Sequence, residues 1–73
     1  MPYATILDLP DSVRGRLPSH AQEIYRKAFN SAWSSYADRL DREGIAHRVA
    51  WSAVTSRYRK GDAGWVPIHP EPF

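Results

Sequence analysis

Cysteine is absent from the chain, so no disulfide and no thiolate metal site can be built from it. That absence suits a reducing compartment. No apolar run approaches the ~18 residues that a membrane-spanning helix needs, which argues against direct membrane insertion. The opening residues, Met1-Pro2-Tyr3-Ala4-Thr5-Ile6, show no basic stretch followed by an apolar one. The expectation is a cytoplasmic protein without a secretory leader. Charge of one sign is scarce too: ten Lys/Arg stand against eight Asp/Glu, a net +2 with a pI of about 9.3. Dedicated polyanion binders are usually more lopsided.

Motifs that carry chemistry are equally sparse. There is no Gly-rich phosphate loop, no paired-histidine metal motif and no calcium-loop pattern. Acidic residues are scattered, so no oxygen cluster suits a directly bound calcium ion. His20, His47 and His69 are far apart, and packed or capping roles fit them better than metal ligation. Ser31, Ser34, Ser35, Ser52 and Ser56 fall within helical patterns, where a hydroxyl is seldom activated. A chain of 73 residues has little room for a ligand-sized concave pocket. These absences together predict a protein that is not an enzyme and needs no cofactor.

What the chain does have is aromatic bulk: three Trp, four Tyr and two Phe. Each aromatic buries about 150–250 Å² when packed, and a domain this short depends on such packing. The strongest pattern lies in Ala21, Ile24, Tyr25, Ala28, Phe29, Ala32, Trp33, Tyr36 and Leu40, apolar at helical spacing. Pro18 precedes Ser19-x-x-Gln22, which has the form of a capping box. The helix is placed at Ser19 to about Arg39. The segment 38–44 supplies a reversal, with Asp41 as a cap. Ile45, Ala46, Val49, Ala50, Ala53, Val54 and Tyr58 form a second stripe, placed at about Arg42 to Lys60 with Gly61 as its C-terminal stop.

The core is expected to comprise Ile24, Ala28, Phe29, Ala32, Trp33, Tyr36, Val49, Ala50, Trp51 and Val54. Ala28-x-x-x-Ala32-Trp33-Ser34 is echoed by Ala46-x-x-x-Ala50-Trp51-Ser52, and antiparallel helices would set each Trp against the other's alanines. A short helix is expected over Pro10–Arg16, opened by Pro10 and ended by Pro18. Tyr3–Leu7 reads as an edge strand, with Trp65-Val66 as its partner. The fold class is therefore α+β and predominantly helical. It comprises a short N-terminal helix, two longer helices packed as a hairpin, and a small two-stranded sheet joining the N- and C-terminal segments. Residues 1–66 form one domain, and residues 67–73, rich in proline, form a loose tail.

One charge feature remains. Between Gly44 and Gly61 there is no acidic residue, whereas Arg48, Arg57, Arg59 and Lys60 are present and Tyr58 sits among the last three. This set is a candidate surface for an acidic protein partner or a nucleic-acid backbone. A plainer alternative is a helix C-terminus loaded with cations to suit its dipole. Dimerisation through the Trp helices is a further alternative, and composition leaves the oligomeric state open.

The segments Asp8-Leu9-Pro10-Asp11-Ser12-Val13, Leu17-Pro18-Ser19-His20-Ala21-Gln22-Glu23-Ile24-Tyr25, Ala28-Phe29-Asn30-Ser31-Ala32-Trp33, Ala46-His47-Arg48-Val49-Ala50-Trp51 and Tyr58-Arg59-Lys60-Gly61-Asp62 resemble the ChaB family of cation transport regulators. The resemblance runs from about Pro2 to Trp65. It implies a small cytoplasmic α+β domain with a minor sheet between the termini, tied to regulation of a sodium/calcium–proton antiporter. Some viral relatives are associated with DNA binding. It brings no catalytic residues. Three departures stand out, one of them Gly44-Ile45 where the family tends to have Glu-Thr before Ala46. The stretch between the Trp helices is cut to Ala37–Glu43, and the chain ends on Pro67-Ile68-His69-Pro70-Glu71-Pro72-Phe73 where many relatives end on a short basic stretch.

Overall fold

The computed structural model describes residues 3–62 and 64–68. Its order is a 3-10 turn at Ile6–Asp8, helix α1 at Asp11–Arg14, helix α2 at Ser19–Ser35, helix α3 at Arg42–Thr55, and strands β1 at Tyr58–Gly61 and β2 at Gly64–Pro67. The class is α+β and mainly helical, as the sequence predicts. Helices α2 and α3 pack as the central hairpin. Phe29, Ala32, Ala46, Ala50 and Val54 lie buried between them, with Leu9, Val13, Leu17, Ala21, Tyr25 and Tyr58 completing the core.

The sheet is a correction. Strand β1 pairs antiparallel with β2, Tyr58 opposite Pro67 and Gly61 opposite Gly64, so the two strands come from one C-terminal hairpin. The N-terminal segment has no part in it. Asn30 takes the role of its strand partner: the Tyr3 N–H donates to Asn30 Oδ1 at 2.8 Å, and Asn30 Nδ2 donates to the Tyr3 carbonyl at 2.9 Å. A side-chain amide reproduces both bonds of a backbone pair. Beyond it, the Thr5 N–H donates to Asp8 Oδ2 at 3.1 Å, which favours a tight turn over continued extension.

Helix bounds differ from the expected ones for identifiable reasons. Helix α1 is shorter at both ends than Pro10–Arg16. In α2, Pro18 occupies the N-cap position and Gln22 does not close a capping box. Its Nε2 reaches back to the Leu17 carbonyl at 2.7 Å, tying the helix to the preceding chain. The helix stops at Ser35, short of Arg39, because the stripe loses its partner: Tyr36 is 40% exposed and Leu40 lies fully in solvent. Helix α3 stops at Thr55, short of Lys60. The Thr55 hydroxyl donates to the Ser52 carbonyl and the Ser56 hydroxyl to the Ala53 carbonyl, bonds with which Ser and Thr compete against helix continuation. Arg57, Arg59 and Lys60 therefore do not form a helical last turn, and Gly61 opposes Gly64 in the hairpin. Gly64, at φ +134°, adopts a backbone conformation that suits only glycine.

The turn between α2 and α3 is closed by Arg42. Its Nε and Nη2 donate to the Trp33 carbonyl at 3.2 and 2.8 Å, satisfying a carbonyl near the C-terminus of α2 that lacks a helical partner. The guanidinium also lies 3.9 Å from the centroid of the Trp33 ring, a cation–π contact. Arg42→Ala is expected to lower stability by about 1–2 kcal/mol. Arg42→Lys should restore only part of that, because an ammonium lacks the planar fork. Thermal melts of the two variants check this, and full recovery by lysine would contradict the assignment.

Asp41 stands at the N-cap of α3 without a side-chain cap bond and instead pairs with Arg39 at 3.3 Å. The proline-rich tail was expected to begin at residue 67. Pro67 is in β2, and the Ile68 N–H donates to the Arg57 carbonyl at 2.9 Å, so the hairpin ladder runs through residue 68. The remainder of that tail, 69–73, lies outside the described residues.

Candidate docking surface

An aromatic array crosses the helical hairpin. Phe29 is fully buried, with the rings of Tyr3 at 4.7 Å, His47 at 4.7 Å and Trp33 at 5.8 Å. Tyr25 meets Trp51 edge-on at 5.2 Å, and Trp51 meets Trp65 at 6.0 Å. The array thus links the N-terminal segment, both long helices and β2. The two halves of the Ala-x-x-x-Ala-Trp-Ser echo differ in surroundings: Trp33 sits under Arg42, whereas Trp51 lies between Tyr25 and the hairpin.

Two histidines act within this packing. His47 Nδ1 shares a hydrogen bond with the Tyr25 hydroxyl. His20 Nδ1 lies 3.0 Å from the Tyr58 hydroxyl, tying β1 to the first turn of α2. The third, His69, lies outside the described residues. Burial pushes the Tyr25 phenol up to about 12, with the nearby Tyr3 adding to the effect. Burial also raises the Tyr3 phenol, and the negative charge of Glu43 adds to it. Both tyrosines are thereby held neutral and serve as packing groups with a polar tip.

The expected core residues divide as follows. Phe29, Ala32, Ala50 and Val54 are buried, Ile24, Ala28, Trp33 and Trp51 are half-buried, and Tyr36 and Val49 are exposed. Val49 lies on the solvent side of α3, because Ala46, Ala50 and Val54 set its inward line. Leu9, Val13 and Leu17, whose four-residue spacing in the sequence signals one inward line, are buried beside them.

The basic set divides too. Tyr58 is a core residue at 6% exposure, not a surface one. Arg57, Arg59 and Lys60 are exposed on or beside β1. Arg48 is exposed on α3, at least ~10 Å along the helix axis from the end of that helix, so it does not join them directly. The ion pairs among the described residues are Arg14 with Asp11, Arg26 with Glu23 and Arg39 with Asp41. None involves Arg48, Arg57, Arg59 or Lys60.

The hairpin arranges the strand cations. The Ile68 N–H donates to the Arg57 carbonyl just outside the two strands, while the Arg57 N–H turns back to the Val54 carbonyl at the end of α3; within the strands the ladder alternates. Arg59 stands opposite Val66 on one face, and Arg57 and Ile68 are joined by their single bond at the open end of the hairpin. Val66 is 38% and Ile68 37% exposed. The other face carries Tyr58 and Trp65, which turn toward the helices. The alternation signal was present in the sequence: Tyr58-Arg59-Lys60 and Trp65-Val66 flank Gly61-Asp62-Ala63-Gly64, a pattern that fits a hairpin.

Elsewhere, an open cleft is lined by Ile6, Leu7, Asp11, Arg14, Gly15, Ser19 and Gln22. Among the described residues, no group of three or more His, Cys, Asp or Glu side chains gathers as a metal site. No helix there is long and apolar enough to cross a membrane.

These features define a class: a small, mainly helical α+β domain whose helical hairpin carries a basic β-hairpin. The ChaB family model matches residues 9–67. The chain is 57% identical over 68 residues to an Escherichia coli K12 protein named "Putative cation transport regulator ChaB", covering 85% of this chain and 90% of that protein. The same figures hold for the protein of that name from Shigella flexneri. A solved structure described as "NMR solution structure of the putative cation transport regulator ChaB" superposes with a TM-score of 0.81 at 52% identity, covering 93% of this chain and 100% of the other. The chain belongs to the ChaB family.

Proposed function

We propose that the protein is a non-enzymatic regulator of cation transport that works in the cytoplasm by docking on a protein partner, the cytosolic face of a sodium/calcium–proton antiporter. The observation that carries this reading is the hairpin itself. It holds Arg57, Arg59 and Lys60 in solvent with no ion pair to a described carboxylate. Cations left without partners in this way suit electrostatic recognition of an acidic surface. The name shared by the relatives, "Putative cation transport regulator ChaB", supplies the kind of partner.

Capture on the tagged full-length protein from detergent-solubilised membranes tests this. A cation antiporter should be enriched over a tag-only control and released as salt is raised. Its absence from the captured set, with duplex DNA bound in a steeply salt-dependent manner, would replace the reading with a nucleic-acid one.

A further inference from the structure

The outer face of the hairpin presents more than charge. Residues two apart in extended chain have backbones about 6.6–7 Å apart, which bounds the separation of Arg59 in β1 from Arg57 just before it. Directly opposite residues bring Cβ atoms within about 4.5–5.5 Å, which sets Val66 beside Arg59, and the backbone bond between Ile68 and Arg57 keeps those two adjacent. The result is a patch in which Arg59 of β1 and Arg57 just before it lie beside Val66 of β2 and Ile68 just after it, all exposed. The buried Tyr58 between the two arginines, bound to His20, and Trp65 against Trp51 fix the hairpin on the helices. The patch is therefore held in place before any partner arrives.

We infer that this patch receives a short acidic amphipathic segment of a protein, one bearing two carboxylates about 6–7 Å apart with apolar residues alongside. The inference deepens the docking reading and rests on it. Each guanidinium can hold a carboxylate through a bidentate pair. Carboxylates at i and i+4 of a helix, about 5–6 Å apart at their Cβ atoms, or at i and i+2 of an extended strand, match the arginine spacing. Val66 and Ile68 then meet the apolar neighbours. A membrane surface fits the patch less well. Polybasic lipid contacts draw on clusters of about 4–8 cations, whereas this face offers a pair flanked by β-branched residues. A nucleic-acid backbone likewise rewards a longer run of cations.

The test uses the full chain, labelled with nitrogen-15, and a soluble helical peptide with two Glu four residues apart and Leu beside them. Amide shifts on titration are expected to centre on Arg57, Arg59, Val66 and Ile68. Arg57→Glu and Arg59→Glu should each weaken binding about 10-fold, the loss of one charge-assisted contact. The double reversal should instead bind the matching Lys peptide. The assignment is overturned if the shifts centre elsewhere, if the Lys peptide fails to bind a double variant that keeps the native spectrum, or if anionic vesicles bind the wild type while the Glu peptide does not. Antiporter capture that survives the double reversal would sink this patch and leave the regulatory reading standing. Peptide exchange as described, without any antiporter captured, would do the opposite.

Discussion

Phe29→Ala is expected to cost about 3–5 kcal/mol, the range for removing a buried aromatic ring. A domain of this length has only about 4–11 kcal/mol of total stability. The variant should therefore lose a large part of its stability and melt far below the wild type. The reason lies in where the ring sits. Phe29 is fully buried and touches the rings of Tyr3, His47 and Trp33. Its removal leaves Tyr3 tied to α2 only by its polar contacts with Asn30 and Arg26 and takes a face of support from His47, whose other partner is Tyr25. Small neighbours such as Ala32, Ala46 and Ala50 cannot swing into the space. Urea denaturation followed by Trp fluorescence measures the loss. A cost below about 1.5 kcal/mol, typical of surface or well-tolerated changes, would show that the array does not carry the core.

Alkali is expected to destabilise the domain chiefly through the phenol of Tyr25. Tyr25 has its pKa raised to about 12 from the ordinary value of 10.0. The folded chain thus holds this proton more tightly than the unfolded chain does. The stabilisation is fully present below pH 10, falls as the pH rises from 10, and is gone above about 12. Each unit of difference corresponds to about 1.4 kcal/mol, so the loss across the window is about 2–3 kcal/mol. The thermal midpoint should stay nearly level from pH 7 to 9 and then drop steeply. Tyr3, raised in the same direction, adds to the fall. Tyr25→Phe should begin less stable, since His47 loses its hydroxyl partner, at a cost of about 1–3 kcal/mol. It should then decline more gently with pH. Parallel alkaline profiles for the two proteins would show that Tyr25 is not the responsible group.

The two long helices were legible because their stripes face each other. Ala21, Tyr25, Phe29 and Ala32 recur at spacings of four, four and three, which a strand's alternation does not satisfy, and Ala46, Ala50 and Val54 line the facing helix; each is buried. What misled was periodicity continued past its partner. Leu40 fits the α2 stripe in sequence, yet α3 begins only at Arg42 and nothing covers it. Tyr58 fits the α3 stripe, yet it reaches the core from a strand, since a buried aromatic serves either element. Periodicity reports which side chains seek burial and leaves open the element that delivers them. The N-terminal segment failed for a different reason. Tyr3 was expected to pair with backbone, and the pairing groups belong to the side chain of Asn30, which no strand pattern reveals. The basic surface was half legible. Arg57, Arg59 and Lys60 were visible as a cluster, but the inclusion of Val66 and Ile68 beside them depends on hairpin register, and register needs the turn.

The aromatic array has a consequence for how the molecule comes apart. Rings run without a break from Tyr3 through Phe29 and His47 to Tyr25, Trp51 and Trp65, so every element except the short α1 and the 3-10 turn contributes to one stack or adjoins it. An isolated two-stranded ribbon is marginal in water, and this one depends on Trp51 and His20 for its seat. The hairpin cannot persist after the helices part, and the helices lose the cover of Trp65 if the hairpin leaves. The hairpin and the two long helices therefore come apart together, and the surface offered to a partner exists only while they are folded.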